Sequence, residues 1–225
     1  MIDTDTRLRV GRGIGKTETE ASTLVFETMK ERRGHPEGPP PTVSDGWGGI
    51  REAMREVYGK VPEYKGIGRP PEKKRPQEGW QYLQIVKERT DTGQQVTGTR
   101  SKEVVYGEKE DEVLDLLGEQ TAYVERTHLT MRHMNGRLTR KGLGFSKALR
   151  MHRAAAAWED AVYNLTRPLK TLRTDLAGPP PEDYTGPSKK RWGKRTPAMA
   201  AELTDHIWNV EELLRTVPPP AYNNT

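Results

Sequence analysis

Residues 121–152 read TAYVERTHLTMRHMNGRLTRKGLGFSKALRMH. The pattern predicts a long helical segment from about Thr121, interrupted near Gly142 and Gly144 and resuming to about Thr171. Glu125 and Arg132 stand seven positions apart, as do Arg126 and His133, so each pair shares a helix face. From Arg126 to Arg173 there are eleven Lys or Arg against two acids, Glu159 and Asp160. That is a net of +9 in a chain whose total is +5, which leaves −4 for the remainder. So concentrated an excess points to a polyanionic partner for this segment, more sharply than the overall pI of 9.3 does.

The bulk composition bounds the rest. The chain has 225 residues, room for one ordinary domain and a tail or for two small ones. Hydrophobic residues make up 32%, and the mean hydropathy is −0.89, which predicts a modest core and long loops. With no cysteine there is no disulfide, no thiolate zinc site and no Cys nucleophile, a composition that fits the cytosol. No run of 18 apolar residues is present, so no membrane span is expected, and the first residues lack a signal-peptide pattern.

Working outward to the N-terminal side, Asp3-Thr4-Asp5-Thr6 reads as a turn, because short polar side chains bond nearby backbone. Arg7 to Gly15 (RLRVGRGIG) alternates and reads as a strand. Thr17 with Glu20 resembles a capping box for a helix to about Arg33. His35 to Pro41 reads as a loop, Thr42 to Ser44 as a short strand ending at Asp45-Gly46, and Gly49 to Tyr58 as an amphipathic helix. Residues 60–102 are rich in Pro and Gly and read as a variable insert of loop or hairpin, with one apolar strand candidate from Trp80 to Val86. Glu110 to Leu117 reads as a short helix. On the C-terminal side, Pro179-Pro180-Pro181 opens a Pro- and Lys-rich linker. Thr196 to Leu214 reads as a terminal helical segment, and PPPAYNNT as a disordered end. The order is that of an α/β fold.

This order leaves three acids, Asp3, Asp45 and Glu125, at strand ends and on a helix. Phosphodiester transfer is slow because phosphate repels nucleophiles, and a pair of Mg²⁺ ions can activate the attacking oxygen and stabilise the leaving one. Mg²⁺ takes hard oxygen ligands, so such a site needs carboxylates rather than His or Cys. An Arg one or two turns from a metal-bound Glu can pair with a DNA phosphate.

Several stretches resemble transposases of the insertion-sequence-one type. They are Tyr123 to Arg126, Leu129 to Arg132, Arg137 to Arg140 and Phe145 to Lys147 in the central segment. Upstream, Ile2-Asp3 with Thr6-Arg7-Leu8 and Gly15-Lys16 resembles the family's first-Asp segment, and Ser44-Asp45-Gly46-Trp47 its second. Tyr163-Asn164, Arg167, Leu172 and Arg173 resemble the end of the catalytic core, while Thr196 to Ala200 and His206-Ile207-Trp208 resemble the family's tail. The resemblance covers most of the chain and is weakest over 60–120.

It implies an α/β, ribonuclease-H-like catalytic core over residues 1–176 and a linker with a helical tail over 177–225. Asp3, Asp45 and Glu125 are implied as the catalytic carboxylates and ligands of two Mg²⁺ (or Mn²⁺) ions. Arg126, Arg132, Arg137, Arg140, Lys141 and Lys147 are implied DNA contacts. The implied activity is DNA cleavage and strand transfer in the bacterial cytoplasm, at the nucleoid. The implied partners are double-stranded DNA, as terminal inverted repeats and target, and a second protomer to form a homodimer. Only Met1 and Ile2 precede Asp3, where a strand typically has about five or six residues. The resemblance therefore implies a truncated first strand and no N-terminal DNA-binding region. Two readings share these residues: a catalytically inactive, DNA-binding remnant, and a stand-alone nuclease of the same fold.

Other candidates carry less. Asp5 competes with Asp3 but reads as a residue inside the turn. His128 and His133 stand five apart, on different helix faces, which argues against a zinc pair. Gly11-x-Gly13-x-Gly15-Lys16 lacks the spacing of a phosphate loop. Ser146 has no companion His and Asp, and Trp47 and Trp208 read as packing residues rather than base-stacking platforms.

Overall fold

The computed structural model describes residues 1–33, 38–66, 68–89, 95–107, 122–139, 142–176 and 192–216. The chain divides into two compact units: Met1 with Val10–Glu125, and Ile2–Arg9 with Arg126–Thr225.

The first unit opens with helix α1 (Glu18–Arg33). Thr17 is its cap: Thr17 Oγ1 accepts the Glu20 N–H at 3.1 Å. Glu20 returns the favour one residue further out than a capping box requires, with Oε2 accepting the Lys16 N–H at 2.8 Å. Strand β1 (Thr42–Asp45) follows, then helix α2 (Gly49–Tyr58). Ala53, Met54 and Tyr58 are buried along one face of α2. The helix stops at Gly59, whose N–H bonds the Arg55 carbonyl at 2.8 Å while its backbone turns extended. Strands β2 (Tyr82–Arg89) and β3 (Gln95–Tyr106) complete a three-stranded sheet of order β1-β2-β3. Thr42 to Asp45 pair in parallel with Tyr82 to Ile85, and β2 pairs antiparallel with β3.

The core of this unit gathers Phe26, Ala53, Met54, Tyr58, Trp80 and Tyr82. Aromatic edges run through it from Phe26 to Tyr58 and Trp80, with centroids 6.4 Å apart at each step, and on to Tyr106 at 5.4 Å. Each fully buried side chain of this size stabilises the unit by roughly 1.5–3 kcal/mol. Leu83 and Ile85 point to the other face of the sheet and form a second small cluster with Val43 and Val104, as the alternation of a strand requires.

Helix α3 (Ala122–Met134) starts in the last residues of the first unit and continues into the second, which resumes at Arg126; the second unit also contains a hairpin-like start, helix α4 (Leu149–Ala161) and a π-helical turn, Val162–Thr166, that prolongs α4. A two-stranded ribbon, β4 (Thr174–Asp175) with β5 (Trp192–Gly193), and two short helices, α5 (Pro197–Ala200) and α6 (Val210–Thr216), follow. Thr196 caps α5 through its hydroxyl, which accepts the Met199 N–H at 3.2 Å, and Pro197 sits in the first turn where its missing N–H costs nothing.

Several sequence expectations need correction. No strand forms over Arg7 to Gly15. The backbone makes only an isolated antiparallel bridge, Ile2 with Arg9. Beyond it the glycines carry the chain close along α1. A Cβ on Gly13 would stand 1.7 Å from the Ala21 carbonyl oxygen, and one on Gly15 2.9 Å from Ala21 N. These glycines serve backbone approach rather than phosphate binding. Of the loop-or-hairpin reading for residues 60–102 the hairpin holds at the C-terminal end, where β3 pairs antiparallel with β2 and runs on to Tyr106. The long helix breaks at Asn135-Gly136, before Gly142. Asn135 is extended, and its Oδ1 accepts the Arg137 N–H at 3.1 Å to start a 3₁₀ turn. Regular helix resumes at Leu149 and ends before Pro168, whose ring disfavours helix in Arg167. The terminal helical segment from Thr196 is made of two short helices with turns between them. The expected helix over 110–117, the linker over 179–191 and the end over 218–225 lie outside the described residues. Among the described residues no helix is long and apolar enough to cross a membrane.

Candidate nucleic-acid interface and carboxylate site

Asp3 sits in the hairpin that opens the second unit. Its N–H bonds the Leu8 carbonyl at 2.8 Å. Its Oδ1 accepts three donors from its own turn: the Asp5 N–H at 3.1 Å, the Thr6 N–H at 2.7 Å and the Thr6 hydroxyl at 2.7 Å. Asp3, not Asp5, is therefore the side chain that closes the turn. Arg7 takes a left-handed backbone at φ 60° and bonds the Thr4 carbonyl through Nη1.

Asp45 ends β1 in the first unit and is exposed, with Oδ1 3.4 Å from the Trp47 N–H. A buried polar group lies beside it on the sheet. Tyr82 Oη is 2.8 Å from Ser44 Oγ and accepts the Gln84 amide at 2.8 Å. Burial pushes the Tyr82 hydroxyl up, the hydrogen bonds from Ser44 and Gln84 oppose this, and the charge of Asp45 adds to it. Trp47 is half-buried and its ring covers Gly49, where any Cβ would meet it at 2.2 Å, so it packs over the start of α2 as expected.

Glu125 lies in the first turn of α3 and is exposed. It closes the first unit, whereas Asp3 belongs to the second. The three carboxylates offer the hard oxygens that Mg²⁺ takes. Among the described residues, however, no three His, Asp or Glu side chains come together as a group that could hold a metal ion.

The expected DNA contacts fall in the second unit. Arg126 and Lys147 are exposed and Arg132 is half-buried. Arg137 is exposed, and its Nη1 donates to Ser146 Oγ at 2.8 Å, which gives Ser146 a structural partner. Arg140 and Lys141 lie outside the described residues. No family model, curated protein or solved structure matches the chain.

Two clusters escaped the sequence reading. The first surrounds Arg9. Its guanidinium is 3% exposed; Nη1 bonds Glu159 Oε1 at 2.9 Å and Asp160 Oδ1 at 3.1 Å, and the group stacks 3.9 Å from the centre of the Tyr163 ring. The Asn164 amide completes the grip, accepting the Arg9 N–H at 3.0 Å and donating to the Arg9 carbonyl at 3.1 Å. Glu159 with Tyr163, and Asp160 with Asn164, stand four apart, so the end of α4 and its π turn present all four to one residue. Burial raises the Tyr163 hydroxyl, and Arg9, Arg167 and Arg7 oppose the rise. The Glu159-Asp160 pair in a basic segment was the available signal, but its partner is 150 residues away.

The second cluster is exposed. His206 Nδ1 is 2.6 Å from Asp205 Oδ1 and Nε2 is 2.7 Å from Glu212 Oε1. Ionised carboxylates only accept, so both ring nitrogens donate at once only while the ring is an imidazolium. The hydrogen bond to Asp205, then that to Glu212, raises the His206 pKa above its ordinary 6.5. Trp208 stacks on this ring at 6.1 Å and 9°, with its Nε1 donating to Thr204 Oγ1 at 2.8 Å. Trp208 therefore packs within its own loop.

Proposed function

We propose that this chain is a DNA-binding protein of the transposase type, acting by cleavage and strand transfer on a ribonuclease-H-like α/β scaffold. The observation that carries DNA binding is the net +9 of residues 126–173, whose two acids, Glu159 and Asp160, both bond Arg9. Counter-ions released from phosphate by such a surface supply affinity without sequence readout. The cleavage half of the proposal rests on the motifs around Asp3, Asp45 and Glu125 and their resemblance to insertion-sequence-one transposases. In this reading the three acids are the catalytic carboxylates, Mg²⁺ or Mn²⁺ is the cofactor, and Arg126, Arg132, Arg137, Arg140, Lys141 and Lys147 meet DNA. The partners are element ends, target DNA and a second protomer, in the bacterial cytoplasm at the nucleoid.

A second reading has an observation of its own. Asp3 Oδ1 is committed to three donors in its turn, and that favours a remnant that binds DNA without cutting it.

Nicking of supercoiled plasmid in Mn²⁺ by the full chain and by Glu125→Ala separates the two. Nicking by the full chain that disappears in the variant supports the enzyme. Retained DNA binding without nicking supports the remnant. Nicking that survives Glu125→Ala removes Glu125 from the site.

A further inference from the structure

Helix α4 has two unlike sides. Inward and toward its C-terminal end it carries Ala156 at 1% exposure and Glu159 at 5%, with Asp160 beside them, and Arg9 bonds both acids. Outward it exposes Arg150, Arg153 and Ala157, spaced three and four apart along one stripe. Leu149 at 54%, Met151 at 47% and Trp158 at 37% exposure flank that stripe. Between them run four alanines, Ala154 to Ala157. The stripe ends at Asp160, seven positions on from Arg153, whose carboxylate is 23% exposed and bonded to Arg9, and the segment's other acid, Glu159, is buried on the same guanidinium.

We infer that the outward face of α4 is a docking surface for duplex DNA, with Arg150 and Arg153 on phosphates and Ala157 against the groove. The inference rests on the DNA-binding reading above and assigns it to an element that the sequence did not single out. Charge complementarity selects the occupant. In a symmetric pairing of two copies the same patch meets itself, so Arg150 and Arg153 would face like charge, and the carboxylate nearest them on the stripe, Asp160, is already bonded to Arg9. A polyanion has the opposite sign along its whole length. The fit is also geometric. A helix with its side chains is about 10–12 Å across, and the major groove is about 12 Å wide. Ala157 keeps the helix thin along this stripe. Leu149, Met151 and Trp158 give apolar surface for thymine methyls and sugars. Arg9 is then a positioning residue: it keeps two carboxylates of α4 away from the phosphates.

The test is fluorescence anisotropy of a labelled 30-base-pair duplex with the full chain over a series of salt concentrations. Three variants are compared: Arg150→Ala/Arg153→Ala, Ala157→Glu, and Arg69→Ala as a control on an exposed arginine of the first unit. The double variant is expected to bind about tenfold more weakly, with the log–log salt slope smaller by about 2. Ala157→Glu keeps helix propensity and is expected to weaken binding similarly, while Arg69→Ala leaves it unchanged. Circular dichroism confirms that each variant is folded. If the full chain binds duplex and both α4 variants match it in affinity and slope, the inference is wrong and the DNA-binding reading stands. If the full chain binds no duplex, both are wrong. If the α4 variants change only the sedimentation of the protein and not its DNA binding, the face is a self-interface and the inference is overturned. Plasmid nicking by Glu125→Ala reports on the cleavage proposal separately.

Discussion

Arg9 is the residue on which the second unit most depends. A guanidinium 3% exposed between Glu159 and Asp160 is stable only while both partners stay. Arg9→Ala removes the guanidinium bonded to the buried Glu159, so unfolding free energy should fall by about 3–5 kcal/mol, read by urea denaturation. Adding Glu159→Gln and Asp160→Asn to that variant should recover part of the loss; no recovery would mean that Arg9 stabilises through Tyr163 and Asn164 instead. Asp3 poses a different question, because its turn needs an acceptor and not a charge. Asp3→Asn keeps Oδ1 and should change stability by less than about 0.5 kcal/mol. On the enzyme reading it should nevertheless abolish Mn²⁺-dependent nicking, and unchanged nicking would remove Asp3 from the site. The His206 clasp has a pH window. A raised pKa places its full contribution below 6.5, lost as pH climbs through the elevated value. The lowered pKa of Asp205 places the acid edge below 3.8. The His206 ring should therefore titrate by NMR above 6.5, and Glu212→Gln should move that midpoint down.

At the scale of elements, local signals succeeded where the chain bonds itself. The cap at Thr17, strand β1 ending at Asp45 and helix α2 from Gly49 to Tyr58 all lie where short-range patterns put them. Thr17→Ala should cost about 1 kcal/mol, seen as a lower thermal midpoint. The failures share a cause. RLRVGRGIG alternates like a strand, yet it finds no partner strand beyond the Ile2–Arg9 bridge, and its glycines are there so that the chain can lie on α1. Gly13→Ala should destabilise by roughly 1–3 kcal/mol through overpacking, whereas Gly48→Ala, with open space around its Cβ, should be tolerated at that site. Denaturation of the two variants side by side checks this. The sequence of β3 is polar and leaves the loop-or-hairpin choice over 60–102 open, and the antiparallel pairing with β2 decides it.

For the whole molecule, the second unit is discontinuous: Ile2–Arg9 belongs with residues from Arg126 onward. A fragment of residues 126–225 lacks Arg9 and leaves Glu159 and Asp160 without their cation. It should show little fixed structure by circular dichroism and NMR. A cooperative, native-like fragment would show that the hairpin adds nothing to the unit's stability.

The sequence alone settled what depends on composition and near neighbours: the absence of cysteine chemistry, the basic segment from Arg126 to Arg173, the caps and the short helices. It also presented Asp3, Asp45 and Glu125 as one set, since all three are acids set in suggestive text. Tertiary structure decided which groups meet. It turned both acids of the basic segment onto Arg9. The reason is physical. Caps and periodicity act over a few residues, whereas a buried ion pair is fixed by desolvation across 150 positions, a cost that no local pattern records.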